Sequence, residues 1–184
     1  MNIGIKSLLI LLLLLIVGCS NQSGTGQNFE QILTKASVKY SRLLHVLEVP
    51  DGKIIFYELV KDAESSVGAA HLKKGLGGLK YTYSGGYIND IPQKLYSNFL
   101  KEISLVYGEI KDENITEVLA QDERNQYTAE IVPTTNTKRL WYIYPIKKEV
   151  TSLTVKGYNK SILLAEEKLD LEKQSSAGTF LNNK

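Results

Sequence analysis

The chain has 184 residues, with 22 Lys and Arg against 20 Asp and Glu, two histidines and a single cysteine. So even a charge balance leaves no basic stripe of the kind nucleic-acid binding draws on, and that class is set aside. One cysteine allows no internal disulfide and no thiolate-built metal site, so the fold must be held by a buried core.

The first feature in chain order is an apolar run at residues 8–17, preceded by Lys6 and closed by Gly18, Cys19 and the polar string Ser20-Asn21-Gln22. A membrane span needs roughly 20 apolar residues, whereas about ten suit the central segment of a secretory signal. The tetrad Ile16-Val17-Gly18-Cys19 resembles the lipid-attachment signal of bacterial lipoproteins: an aliphatic residue, a short residue, Gly or Ala, then Cys. That resemblance implies a signal peptide at residues 1–18, cleavage between Gly18 and Cys19, and a diacylglyceryl group on the Cys19 sulfur. It also implies a place on the extracytoplasmic face of the cell membrane. Two acyl chains, at about 0.8 kcal/mol per buried CH₂, hold a protein there stably. Residues 19–28 then read as the lipidated cysteine and a flexible Gly/Ser/Asn-rich tether, with a reach of about 15–18 Å.

Residues 29–173 have the size of one domain. Phe29, Ile32, Leu33, Ala36 and Tyr40 recur at helical spacing, which predicts one short helix. From Leu43 the period changes to strand-sized runs. The runs 43–49 and 53–61 flank Pro50-Asp51-Gly52, a hairpin signal, and the second is apolar on both alternating faces, as an interior strand would be. Residues 67–73 are small and apolar, and Leu79, Tyr81 and Tyr83 alternate with polar residues up to Gly85-Gly86. Leu95, Phe99 and Ile103 are four apart, predicting a second helix within residues 89–103. Strands are expected at 105–110, 115–119, 126–132, 139–145, 153–158 and 162–165, while 166–173 reads equally as strand or short helix. Residues 174–184 lose all pattern and read as a mobile tail. The expected class is α+β, mainly β, with a predominantly antiparallel sheet and one or two short helices.

Catalytic signatures are sparse. His45 and His71 both lie in apolar strand runs with no His-x-His or His-x-x-x-His partner, so metal spacing is absent. No Gly-x-Ser-x-Gly elbow occurs. Lys73-Lys74-Gly75-Leu76-Gly77-Gly78 is similar in composition to an anion-cradling loop, but the strand, loop and helix ending in Lys-Ser/Thr are missing, and it reads as a glycine hairpin loop with solvated lysines. Eleven tyrosines and one tryptophan are the remaining feature. Tyr81, Tyr83 and Tyr87 lie beside glycines, and Trp141, Tyr142 and Tyr144 share one strand. Of the two faces of that strand, one is expected in the core; the other reads first as core too, since tyrosine is simply a good strand former, and alternatively as a surface able to stack on sugar, peptide or protein.

The runs Asp51-Gly52-Lys53-Ile54-Ile55-Phe56-Tyr57, Tyr107-Gly108-Glu109-Ile110 and Lys138-Arg139-Leu140-Trp141-Tyr142 are similar to small lipoproteins of Gram-positive bacteria, a likeness that implies no activity. The expected function is a membrane-anchored, non-catalytic binding or envelope-associated module that needs no cofactor. Its partners are the membrane, through Cys19, and cell-wall glycan or a membrane-proximal protein. The alternatives are an enzyme acting on wall or membrane components, with His45 or His71 as base, and an immunity-type or ligand-binding lipoprotein.

Overall fold

A computed structural model describes residues 29–61, 64–86, 93–134 and 139–173. The residues expected to form a signal peptide (1–18) and a tether (19–28), with Gly18 and Cys19 among them, lie outside the described residues, as do Tyr87 and the expected tail at 174–184. The fold is α+β, mainly β, and its sheets are antiparallel, as the sequence leads one to expect.

Helix α1 (Phe29–Lys35) carries Glu30 in its first turn and Lys35 in its last, the order that complements the helix dipole. It stops where Ser37 takes a left-handed backbone (φ 58°). Leu33 is its fully buried anchor.

The first sheet is a meander of β1 (Arg42–Val49), β2 (Gly52–Lys61), β3 (Glu64–Gly75) and β4 (Gly78–Gly86), adjacent in that order. Pro50 and Asp51 join β1 to β2 between the paired Val49 and Gly52, and Leu76-Gly77 joins β3 to β4 between the paired Gly75 and Gly78. Glycine is required at 52, where an added Cβ would stand 2.0 Å from the Leu72 carbonyl oxygen. The second sheet has the order β5-β6-β10-β9, with β5 (Leu95–Leu100), β6 (Leu105–Ile110), β9 (Glu130–Pro133) and β10 (Arg139–Ile143). The third, β12-β11-β7-β8, is built from β7 (Glu117–Gln121), β8 (Gln126–Thr128), β11 (Ser152–Asn159) and β12 (Ile162–Asp170).

Alternation along the strands stacks these elements in four layers. Ile55, Tyr57, Leu59, Ala70 and Leu72 turn from the first sheet toward Leu33 and Val38 of the helical layer. Ile54, Phe56, Val67 and Ala69 turn the other way, onto Leu105, Tyr107, Leu140 and Tyr142 of the second sheet. From the opposite face of that second sheet, Val106, Ile110, Trp141 and Ile143 pack on Val118, Ala120, Val155 and Leu169 of the third. The second sheet is thus apolar on both faces, and every residue of β6 is buried. Each large apolar side chain buried this way contributes about 1.5–3 kcal/mol.

Two expected elements are different. Residues 126–132, expected as one strand, divide into β8, which pairs with β7 in the third sheet, and β9, which pairs with β10 in the second, the chain passing from one sheet to the other at Ala129. The second helix predicted within residues 89–103 is a strand, β5, followed by a single 3-10 turn at Lys101–Ile103. A spacing of four is a multiple of two as well as close to a helical turn, so Leu95 and Phe99 share a strand face as readily as a helix face. Pairing with β6 from Leu95↔Ile110 to Leu100↔Leu105 decides it. Residues 166–173, left open between strand and helix, continue β12 to Asp170 and then form a turn of helix.

Candidate functional site

The aromatic strand is buried on both sides. Trp141 is 0% and Tyr142 5% exposed, so of the two readings of its second face the core one holds and the binding-surface alternative does not: β10 lies inside the middle layer. The Trp141 indole N–H donates to the Tyr96 carbonyl at 3.0 Å. On the opposite face, Tyr142 and Phe56 stack at 5.3 Å between centroids, and His45 stacks on both rings, at 5.8 Å from Tyr142 and 6.0 Å from Phe56. His45 is therefore a packing element of the interface between the first two sheets. Tyr144, just beyond β10, is partly exposed, and burial followed by the charge of Asp51 raises its hydroxyl above the ordinary range.

Tyr81 and Tyr83, which a regular strand would put on one face, are divided by a bulge. β3 pairs with β4 as His71↔Tyr83 and then Leu72↔Tyr81, leaving Thr82 as the extra residue. Tyr81 packs in the helical layer and Tyr83 against the second sheet. Tyr81 and Ser84 share a hydroxyl hydrogen bond of 2.8 Å, and the Tyr107 hydroxyl donates to the Gly85 carbonyl at 2.9 Å. Of the aromatic residues expected to bind, Tyr81, Tyr83 and Tyr144 keep some exposed surface; Trp141 and Tyr142 do not.

The bulge also builds the one constellation of catalytic type that the described residues contain. His71, 4% exposed, places Nδ1 2.9 Å from Thr82 Oγ1 and Nε2 3.2 Å from Asp51 Oδ1. Asp51 comes from the β1–β2 turn and Thr82 from the bulge, so three elements meet at the ring. The Thr82 hydroxyl donates to the His71 carbonyl at 3.0 Å, which directs its only proton to the backbone rather than to the ring. A hydroxyl nucleophile needs the reverse, a proton aimed at the base. The trio works as a clamp holding the β1–β2 turn to the β3–β4 hairpin, reinforced by the Lys74 N–H donating to the Asp51 carbonyl at 2.8 Å.

Grooves lined by described residues lie elsewhere, and two of them bear on the carboxylates. The larger, about 780 Å³, runs between the β7–β8 turn and residues 147–152 and is lined by Asp122, Arg124, Lys147 and Glu149 among others. Asp122 there accepts from the Arg124 and Asn125 amides at 2.6 Å, and these bonds hold its carboxyl below the usual range. Its oxygens are occupied by the turn. The smaller groove, about 230 Å³, is lined by Gln93, Leu164 and Glu167. Burial pushes the Glu167 carboxyl up, offset in part by Ser97. Glu167 escaped the sequence reading because it lies in a charged run, Glu166-Glu167-Lys168, that resembles a solvated face.

Among the described residues no three His, Cys, Asp or Glu side chains cluster as metal ligands, and no helix is long and apolar enough to cross a membrane. Set beside protein-family models, curated proteins and solved structures, the chain matches none.

Proposed function

We propose that this chain is a membrane-anchored extracytoplasmic lipoprotein whose β-rich domain acts as a non-catalytic binding or envelope-associated module. The observation that carries this reading is Cys19: the sole cysteine stands directly after Gly18, where the apolar run 8–17 gives way to the polar stretch 20–28. The folded part supports it, because α1 begins at Phe29, immediately after that stretch, and the layers that follow contain no thiol. Such a domain folds in an oxidising compartment with no disulfide to form. His71, used as a structural clamp, supports the non-catalytic half of the reading. The partners proposed are the membrane, through a diacylglyceryl group on Cys19, and wall glycan or a membrane-proximal protein met by the domain.

The test is metabolic labelling of a producing bacterium with an alkyne-bearing fatty acid, together with intact mass after detergent extraction. The label is expected in the wild type and absent from Cys19→Ser, with a mature N-terminus at position 19. Recovery of an unlabelled precursor, or of a product cut elsewhere with a bare thiol, overturns the proposal.

A further inference from the structure

The β3–β4 turn presents Leu76 with 112% of its reference surface exposed, the most exposed of the large apolar side chains described. It sits at the apex of a tight turn, between Gly75 and Gly77, with Gly78 at φ 98°, a backbone that L side chains rarely adopt. The apex displays leucine where turn chemistry favours Asn, Asp or Gly.

Three lysines surround it. Lys73 and Lys80 are directly opposed across the hairpin, a destabilising like-charge pairing, and Lys74 is their neighbour. All three are exposed and none makes an ion pair among the described residues. The acids at this end of the sheet are otherwise engaged: Glu48 with Lys53 and Asp51 with His71. Glu30, on the first turn of α1, is the third acid there.

The described chain also begins at this end of the sheet. Phe29, the first described residue, lies under the Lys53 ammonium, 5.5 Å from ring centroid to nitrogen. Lys53 pairs with Leu72, four strand residues before Leu76, a separation of about 13 Å. A chain held to a bilayer through residues 19–28 is therefore held by the end that carries the exposed leucine and its lysines.

We propose that the β3–β4 hairpin tip is a membrane-contact element, which seats Leu76 in the interface of an anionic bilayer with Lys73, Lys74 and Lys80 at the phosphate level. An apolar apex ringed by cations matches the two attractions that hold peripheral elements on such surfaces, burial at the headgroup boundary and charge against anionic lipid. The inference rests on the anchored reading, which supplies the surface, and it adds an orientation: the first sheet end-on to the membrane, with the β3–β4 turn nearest to it.

The test uses the full chain purified from a producing bacterium and reconstituted into vesicles of phosphatidylcholine, with or without phosphatidylglycerol, carrying brominated acyl chains. Because the only native tryptophan, Trp141, is buried, an L76W reporter reads the tip. The expected result is blue-shifted, bromine-quenched emission in phosphatidylglycerol vesicles, lost on adding salt. Reversal of two lysines in K73E/K74E should weaken it severalfold or more, since each lysine near an anionic surface contributes roughly fivefold. Water-like emission in both vesicle types overturns the proposal, as does a blue shift without bromine quenching, which would place protein over the tip. Intact mass of the same samples reads the lipid on Cys19 separately. A lipidated chain with a wet tip refutes only this contact, and a quenched tip on an unlipidated chain refutes only the anchor.

Discussion

Trp141 on β10 and Tyr96 on β5 are joined across an intervening strand, the indole N–H of one bonding the carbonyl of the other over Gly108 of β6. A Cβ on Gly108 would stand 1.7 Å from the Tyr96 oxygen and 2.9 Å from Trp141 Nε1. Gly108→Ala is therefore expected to destabilise by about 3 kcal/mol or more, in the range reached by overpacking together with loss of a buried hydrogen bond. Trp141→Phe should cost about 1–3 kcal/mol, because it strands the carbonyl while keeping most of the ring. Chemical denaturation followed by circular dichroism measures both. A Gly108→Ala change within 0.5 kcal/mol of wild type, the range of ordinary surface substitutions, would contradict this packing.

Burial raises the hydroxyls of Tyr57, Tyr107 and Tyr142 well above the ordinary tyrosine range. With folded values above unfolded ones, the stability these groups contribute is fully present below about pH 10 and is lost as pH rises beyond it. Absorbance near 295 nm is expected to show one group of tyrosines titrating reversibly and a second appearing only together with loss of the β signal. A single smooth titration of all eleven tyrosines before any unfolding would show that these rings are wet.

Glu167 is the acidic counterpart. Its carboxyl is raised by burial, so the folded state favours the protonated form. That preference is fully present below the unfolded value and is lost as pH rises through the folded one. Glu167→Gln, neutral throughout, should be more stable than wild type at pH 7, with the difference shrinking toward pH 4. Thermal melts at the two pH values provide the comparison. Equal or lower stability of the variant at pH 7 would count against a desolvated carboxylate.

If His71 clamps the hairpin, His71→Ala should cost about 1–3 kcal/mol and Thr82→Ala about 0.5–1.5 kcal/mol, the scale of a buried and a half-exposed hydrogen-bonded group. The two should not add, since each removes the same 2.9 Å contact. A double-mutant cycle in urea measures the coupling, and strict additivity would separate the two side chains.

Most of the strand plan is legible locally. Residues 53–61 carry apolar side chains on both faces, and β2 is indeed interior and covered twice. The same criterion applied to Leu140-Trp141-Tyr142-Ile143 identifies a strand with no wet face, but Tyr and Trp, amphipathic at their tips, invite a surface reading. Leu95 and Phe99 misled because four residues fit two periods. The Asp51, His71 and Thr82 trio depends on a one-residue slip between β3 and β4, which alternation cannot announce, since a bulge leaves composition unchanged. The Lys73 to Gly78 run reads as a glycine hairpin loop, and it forms one, closed by the Gly75↔Gly78 pair. What local pattern could not show is that Phe29, the first described residue, lies at the same end of the sheet.

The middle position of the second sheet governs how the molecule comes apart. Its strands β6 and β10 have a sheet neighbour on either side and packed layers above and below, so their amides can meet solvent only when an outer layer has already lifted. Deuterium uptake would accordingly run inward, with α1 and the hairpin turns first and the ladder from Val106↔Ile143 to Ile110↔Arg139 last. The slowest of those protons would report the free energy of opening the entire protein.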